Sequence, residues 1–197
     1  MPRVAKSVEE IKNEAMQVCI KCFNEKGLKL TMDDIAAGCR VSKKTLYFVF
    51  KDKDEMFLAM VDYLFDKIKE SEAIVMNDDS LSTVEKLRKL LGVLPEGYQE
   101  VDFGQLYSLK EKYPNIYAQV EARLETGWET AIELMKRGME EGVIKPVHIP
   151  IVKLMFEASL EQFFQRDVLV NNKIRYAHAL NEVVNIIVDG IVTGKEE

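Results

Sequence analysis

The 197-residue sequence lacks the groupings that mark most enzymes, membrane proteins and secreted scaffolds. It contains no G-x-S-x-G, no P-loop and no G-x-G-x-x-G, so the hydrolase, nucleotide and dinucleotide signatures are missing. It has two histidines. His148 lies in a proline-flanked stretch and His178 near the start of the last apolar run, and surface or interface roles are expected of both. An enzyme is therefore not expected, and no cofactor is implied. Three cysteines, an odd number, suit a reducing compartment better than a disulfide framework. No apolar run approaches the length of a membrane span, and the first residues lack the apolar core of a secretory leader. The expectation is a cytoplasmic protein without a membrane partner.

Cys19 and Cys22 form a C-x-x-C, with Cys39 not far along the chain, so metal and redox readings must be weighed. No second C-x-x-C and no paired histidine accompanies them. Both thiols fall on the apolar stripe of a helix, where free cysteine behaves as a small hydrophobe. Core packing is expected, no metal site, and a thiol switch is the alternative.

What is present is charge, unevenly placed. The net charge of −6 argues alone against nucleic acid. Residues 1–53, however, carry 11 Lys+Arg against 7 Asp+Glu, a balance of +4, and the remaining 16 against 26 leave −10 for residues 54–197. A basic head on an acidic body concentrates phosphate affinity at one end.

Read in order, the chain is helical almost throughout. Residues 1–6 make a short basic arm in which Arg3 and Lys6 have the reach for phosphate or a minor groove. Ser7 and Glu10 make a capping box for a helix that runs to Lys26 and stops at Gly27. Thr31 caps a second helix from Met32, with Asp34 as its box partner and Ile35 and Ala36 facing inward. Ser42 caps a third, Lys43 to Val49, with Leu46 and Phe50 inward and Lys43, Lys44, Thr45, Tyr47 and Phe48 outward. Asp52 and Glu55 repeat the cap for a long helix from Lys53 to about Met76. After the loop Asn77–Ser80 come a helix near Ser82–Val93, a break at Pro95-Glu96-Gly97, and a short helix near Val101–Lys112. A long helix is predicted from Pro114 to about Glu141, stopped by Gly142, then two more near Ile151–Val170 and Lys173–Thr193. Both final helices are apolar on more than one side, so each is sandwiched, with the rest of its own domain or a second subunit as the partner.

Two short helices around a tight turn, the second basic, make a helix-turn-helix, which lays its second helix in the major groove of DNA. The stretch from Thr31 to Phe57 resembles the DNA-binding domain of the TetR family of bacterial transcriptional repressors. Thr31, Ile35-Ala36, Val41-Ser42, Thr45-Leu46-Tyr47, Phe50 and Lys53 match that family's pattern at its spacing. The sequence departs at Cys39 and Arg40, usually Ala-Gly, at Lys44, often Gly, and at Val49, often His or Tyr.

The resemblance implies an all-α protein with an N-terminal three-helix bundle, residues 1–53, followed by a larger ligand-binding and dimerisation domain, residues 54–197. It implies a repressor released from a double-stranded DNA operator by a small molecule, and a homodimer through the last two helices. The two recognition helices would then stand about 34–36 Å apart, or somewhat further. Expected DNA contacts are Thr31, Arg40, Ser42, Lys43, Lys44, Thr45, Tyr47, Phe48 and Lys53. Tyr47, Thr31 and Lys53 are matched to phosphate, the lysines of the third helix to guanine and Thr45 to a thymine methyl. Among the central aromatics and methionines (Phe103, Tyr113, Tyr117, Met135 and Met139 included), Tyr107, Trp128, Phe156 and Phe163 are the expected lining of a mainly apolar or aromatic ligand site. A cationic ligand also suits Trp and Tyr. The alternative is a helical ligand- or partner-binding protein whose altered turn, Arg40 with Val49, has impaired DNA binding.

Overall fold

A computed structural model describes residues 6–95, 98, 104–165 and 168–194. Arg3 of the arm, Glu96 and Gly97 of the expected break, Phe103 and the start of the helix expected from Val101 lie outside the described residues. Among those described there is no strand, only an isolated bridge between Ile144 and Val192, and the fold is all-α as expected. The chain forms two compact units, Met1–Phe65 with Val101–Val120, and Asp66–Glu100 with Glu121–Glu197.

The first unit opens with α1, Val8–Lys26, whose Ser7–Glu10 capping box forms as the sequence predicts, and Gly27 follows it at φ +55°. Two seven-residue helices come next, α2 over Met32–Gly38 and α3 over Lys43–Val49. Helices so short are not stable alone in water, so packing must hold them. Ala15, Met16, Cys19 and Phe23 of α1 meet that need together with Ile35, Ala36, Leu46 and Phe50, all buried. The long α4, Lys53–Met76, adds Met56, Phe57, Met60, Val61 and Leu64. Each such side chain contributes roughly 1.5–3 kcal/mol by leaving water. Gly38 permits the closest approach of α2 to α1, since a Cβ there would stand 2.4 Å from Val18 Cγ1.

After α5, Thr83–Leu91, which belongs to the second unit, this unit resumes with α6, Gly104–Tyr107, α7, Leu109–Lys112, and the first part of α8, Pro114–Glu125. Tyr113 packs its ring edge-on against Phe57 at 5.2 Å. Gln119 donates to Asp62 at 2.8 Å, which ties α8 to α4.

The second unit holds α5, Thr83–Leu91, α9, Glu129–Glu140, α10, Ile149–Gln165, α11, Val168–Asn171, and α12, Tyr176–Ile191. The single helix predicted from Pro114 to Glu141 is two helices. Gly127, at φ +81°, turns the chain between α8 and α9, and its carbonyl accepts from Lys69 Nζ at 2.7 Å. Glycine is the residue that adopts this backbone without strain. Within the predicted Ile151–Val170 span, α10 covers Ile149–Gln165 and α11 Val168–Asn171.

Both final helices present apolar groups on two sides. On α10, Val152, Phe156, Leu160 and Phe164 are buried, whereas Ile151, Leu154, Met155 and Ala158 are exposed. Phe164 therefore lies on the inner face. On α12, Leu180, Val184, Ile187, Val188 and Ile191 are buried while Ile186 is 72% exposed. No helix among the described residues is long and apolar enough to cross a membrane.

Candidate nucleic-acid interface

The interface is built on α3. Ser42 caps it, its hydroxyl accepting from the Thr45 amide at 3.0 Å, and Leu46 and Phe50 anchor it inward. At 100° per residue, Lys44 and Phe48 lie opposite Leu46 and Phe50, and Tyr47, three residues after Lys44, flanks them. Tyr47 is 43% exposed and Phe48 79%. The helix therefore shows solvent a phenyl ring beside a lysine and a phenol.

The turn before α3 places Arg40 at φ +55°. The left-handed region costs a non-glycine residue about 1–2 kcal/mol, so the turn keeps the geometry that glycine ordinarily supplies. Val41 closes it, donating to the Ala36 carbonyl at 3.0 Å, and Arg40 N–H donates to Ala37 at 3.1 Å.

The other expected contacts are held by neighbours. Thr31 Oγ1 donates to Asp34 at 2.9 Å and accepts from the Asp34 amide at 3.2 Å. The Thr31 amide at 2.8 Å and Lys26 at 2.7 Å also donate to the Asp34 carboxylate, and these bonds hold its pKa down at about 2, the Lys26 bond contributing most. Lys43 is paired with Asp33 of α2 at 2.9 Å, which raises the pKa of its ammonium. Thr45 is half-buried, its hydroxyl 2.7 Å from that of Ser42. Lys53 donates to the Leu28 carbonyl at 2.8 Å and lies over the Phe57 ring at 5.1 Å, and burial lowers its pKa. Lys6 of the arm pairs with Glu14.

The cysteines are free. Cys19 and Cys39 are buried, and burial pushes the Cys39 thiol up to about 11 and Cys19 higher still. Cys22, expected on the buried stripe, is half-exposed at its edge. Among the described residues no group of three or more His, Cys, Asp or Glu is arranged to hold a metal ion.

The aromatic residues expected to line a ligand site fall in separate places. In the first unit Tyr107 meets Tyr117 edge-on at 5.6 Å, with Lys110 Nζ over both rings. In the second, Trp128 meets Phe156 edge-on at 5.5 Å, and Lys153 Nζ lies 5.7 Å from the Trp128 ring centre. Phe163 instead faces Tyr176 at 6.2 Å. Sequence reading missed Lys110 and Lys153. Lys110 follows Tyr107 by three residues, a helical spacing that was legible, whereas Lys153 reaches Trp128 only through the fold.

A capped, short second helix with a cationic and aromatic outer stripe defines a helix-turn-helix protein. Residues 16–60 match the sequence model of the bacterial regulatory proteins of the tetR family. An uncharacterized HTH-type transcriptional regulator of Bacillus subtilis, YvaF, is 24% identical over 176 residues, 89% of this chain and 93% of its own. A TetR transcription regulator from Haloarcula marismortui superposes with a TM-score of 0.73 at 17% identity, over 94% of this chain and all of its own. The regulator FadR from Bacillus subtilis, in complex with stearoyl-CoA, superposes at 0.64 and 17% identity, over 91% and 98%. The head thus matches the tetR-family sequence model over residues 16–60, and the whole chain shares its fold with solved TetR-family regulators.

Proposed function

We propose that the protein is a homodimeric transcriptional repressor that leaves its DNA operator when a small molecule binds the second unit. The observation that carries this reading is the outward stripe Lys44, Tyr47 and Phe48 on a helix whose inner face is locked by Leu46 and Phe50. Lys44 suits a guanine edge and the Tyr47 hydroxyl a phosphate, with Arg40 beside them. Thr31 and Ser42 set the helix starts, and Lys43, Thr45 and Lys53 support the contact surface. The formed α3, with its cap and buried anchors, favours a working head over one impaired at Arg40.

Dimer formation would cover the exposed apolar groups of α10 and α12, among them Leu154, 60% exposed, and Ile186. The ring pair Trp128–Phe156 suits a ligand of apolar or aromatic character. Coupling requires only that this ligand bind the DNA-competent and DNA-incompetent states with different affinity.

The test is binding to the DNA upstream of the protein's own gene at two salt concentrations, beside Lys44→Ala and Tyr47→Phe. Specific binding that both variants weaken is expected, and release by a compound that also changes the emission of Trp128, the single tryptophan, would identify the ligand. Stearoyl-CoA, held by the Bacillus subtilis neighbour, offers a first compound to assay. A protein that shows no sequence preference at either salt concentration would overturn the reading.

A further inference from the structure

Recognition by a helix in the major groove needs groups that distinguish base edges. On α3 the spacing expectation gave the apolar part of that task to Thr45. The structure gives Thr45 a different occupation: it is half-buried, its amide donates to Ser42 Oγ at 3.0 Å, and its hydroxyl stands 2.7 Å from the same oxygen. Phe48 has none of these ties and is 79% exposed. It lies four residues after Lys44, hence on the same face of the helix, one turn along. Phosphate and sugar offer an exposed phenyl ring little, whereas the major groove displays one purely apolar group, the C5 methyl of thymine.

Resting on the regulator reading above, we infer that Phe48 is a specificity-determining residue that reads a thymine methyl. It acts in concert with Lys44, which reads a guanine one turn of helix away. A helical turn rises about 5.4 Å and successive bases are about 3.4 Å apart, so the two contacts fall about one to two base steps from each other. Each half of the operator therefore holds a guanine and a thymine at that separation. Lys43 is excluded from this pair because Asp33 holds its ammonium at 2.9 Å, on the α2 side of the helix.

The experiment begins by letting the wild-type protein select duplexes from a random-sequence library. Each thymine of the selected site is then replaced singly by deoxyuridine, which removes the methyl and nothing else. One position per half-site should weaken wild-type binding about three- to fivefold, the effect of uncovering one methyl group. Phe48→Ala should bind the unmodified site more weakly by a similar factor and no longer sense that replacement, while Phe48→Leu keeps part of the sensitivity. Because the ring is exposed, both variants should keep the unfolding midpoint of the wild type. A selected site that binds tightly but tolerates uracil at every thymine overturns the inference and leaves the regulator reading standing. So does a Phe48→Ala protein that still discriminates. If selection enriches no sequence, both readings fall together.

Discussion

Lys43, the first residue of α3, gives its ammonium to Asp33 of the preceding helix at 2.9 Å. On the regulator reading proposed above, the pair neutralises a cation where phosphate would otherwise be attracted, and it places a carboxylate beside the proposed contact surface. Asp33→Asn should therefore tighten DNA binding at low salt, for unrelated sequences most of all. It should also steepen the dependence of log K on log salt by up to about one. Filter or fluorescence binding at several salt concentrations measures both. An unchanged slope would mean that Lys43 stays with its neighbours when DNA binds.

Arg40 tests the turn separately from the contact. Its φ of +55° is a glycine conformation, so Arg40→Gly should raise the stability of the head by up to about 1 kcal/mol. The same substitution removes a cation and should weaken binding to every sequence about equally. Urea unfolding reads the first effect and DNA titration the second. Opposite signs in the two assays are the expected result.

Gly38 is predicted to resist replacement although it lies in a helix, where alanine is ordinarily better. A Cβ would meet Val18 Cγ1 at 2.4 Å and Cγ2 at 3.3 Å. Overpacking of this kind costs about 1–3 kcal/mol, against a helix-propensity gain of about 1 kcal/mol. Gly38→Ala should destabilise the protein, and Val18→Ala combined with it should recover most of the loss. Additive single effects in urea unfolding would contradict the close approach.

Asp34 makes the head sensitive to acid. Its carboxyl titrates at about 2, against an ordinary 3.8, because Lys26 and both the amide and hydroxyl of Thr31 bond to the ionised form. A lowered folded-state pKa means that the contribution is complete above about pH 4 and is lost as pH falls toward 2. In Asp34→Asn the melting temperature should fall less steeply across that window than in the wild type. Equal slopes would show that the bonds to Asp34 do not survive in solution.

Thiol labelling should follow burial. Cys19 and Cys39 are buried and their pKa values raised, Cys39 to about 11, while Cys22 is only partly covered. In native protein at pH 8 an alkylating reagent should reach Cys22 first, and slowly, since its pKa is also raised by burial. In urea all three should react at similar rates. Rapid native labelling at Cys19 would place that thiol outside the core, where a redox role would again need weighing.

The sequence by itself determined where helices begin and which short stretch is the helix-turn-helix. Ser7 with Glu10 and Thr31 with Asp34 form the capping boxes their spacing predicts. Such a cap is a bond between residues three apart, and no distant part of the chain is needed to form it. Tertiary structure alone decided which cations are left to face outward. Lys6, Lys26, Lys43 and Lys53 find partners 8 to 25 residues away, and nothing in their own neighbourhood announces it. It also decided the break at Gly127, where Lys69 from 58 residues earlier bonds the turn, and that Phe164 of α10 lies inward. Periodicity tells which residues share a helix face. What covers that face depends on the packing of elements far apart in the chain, and so does the freedom of a charge on it.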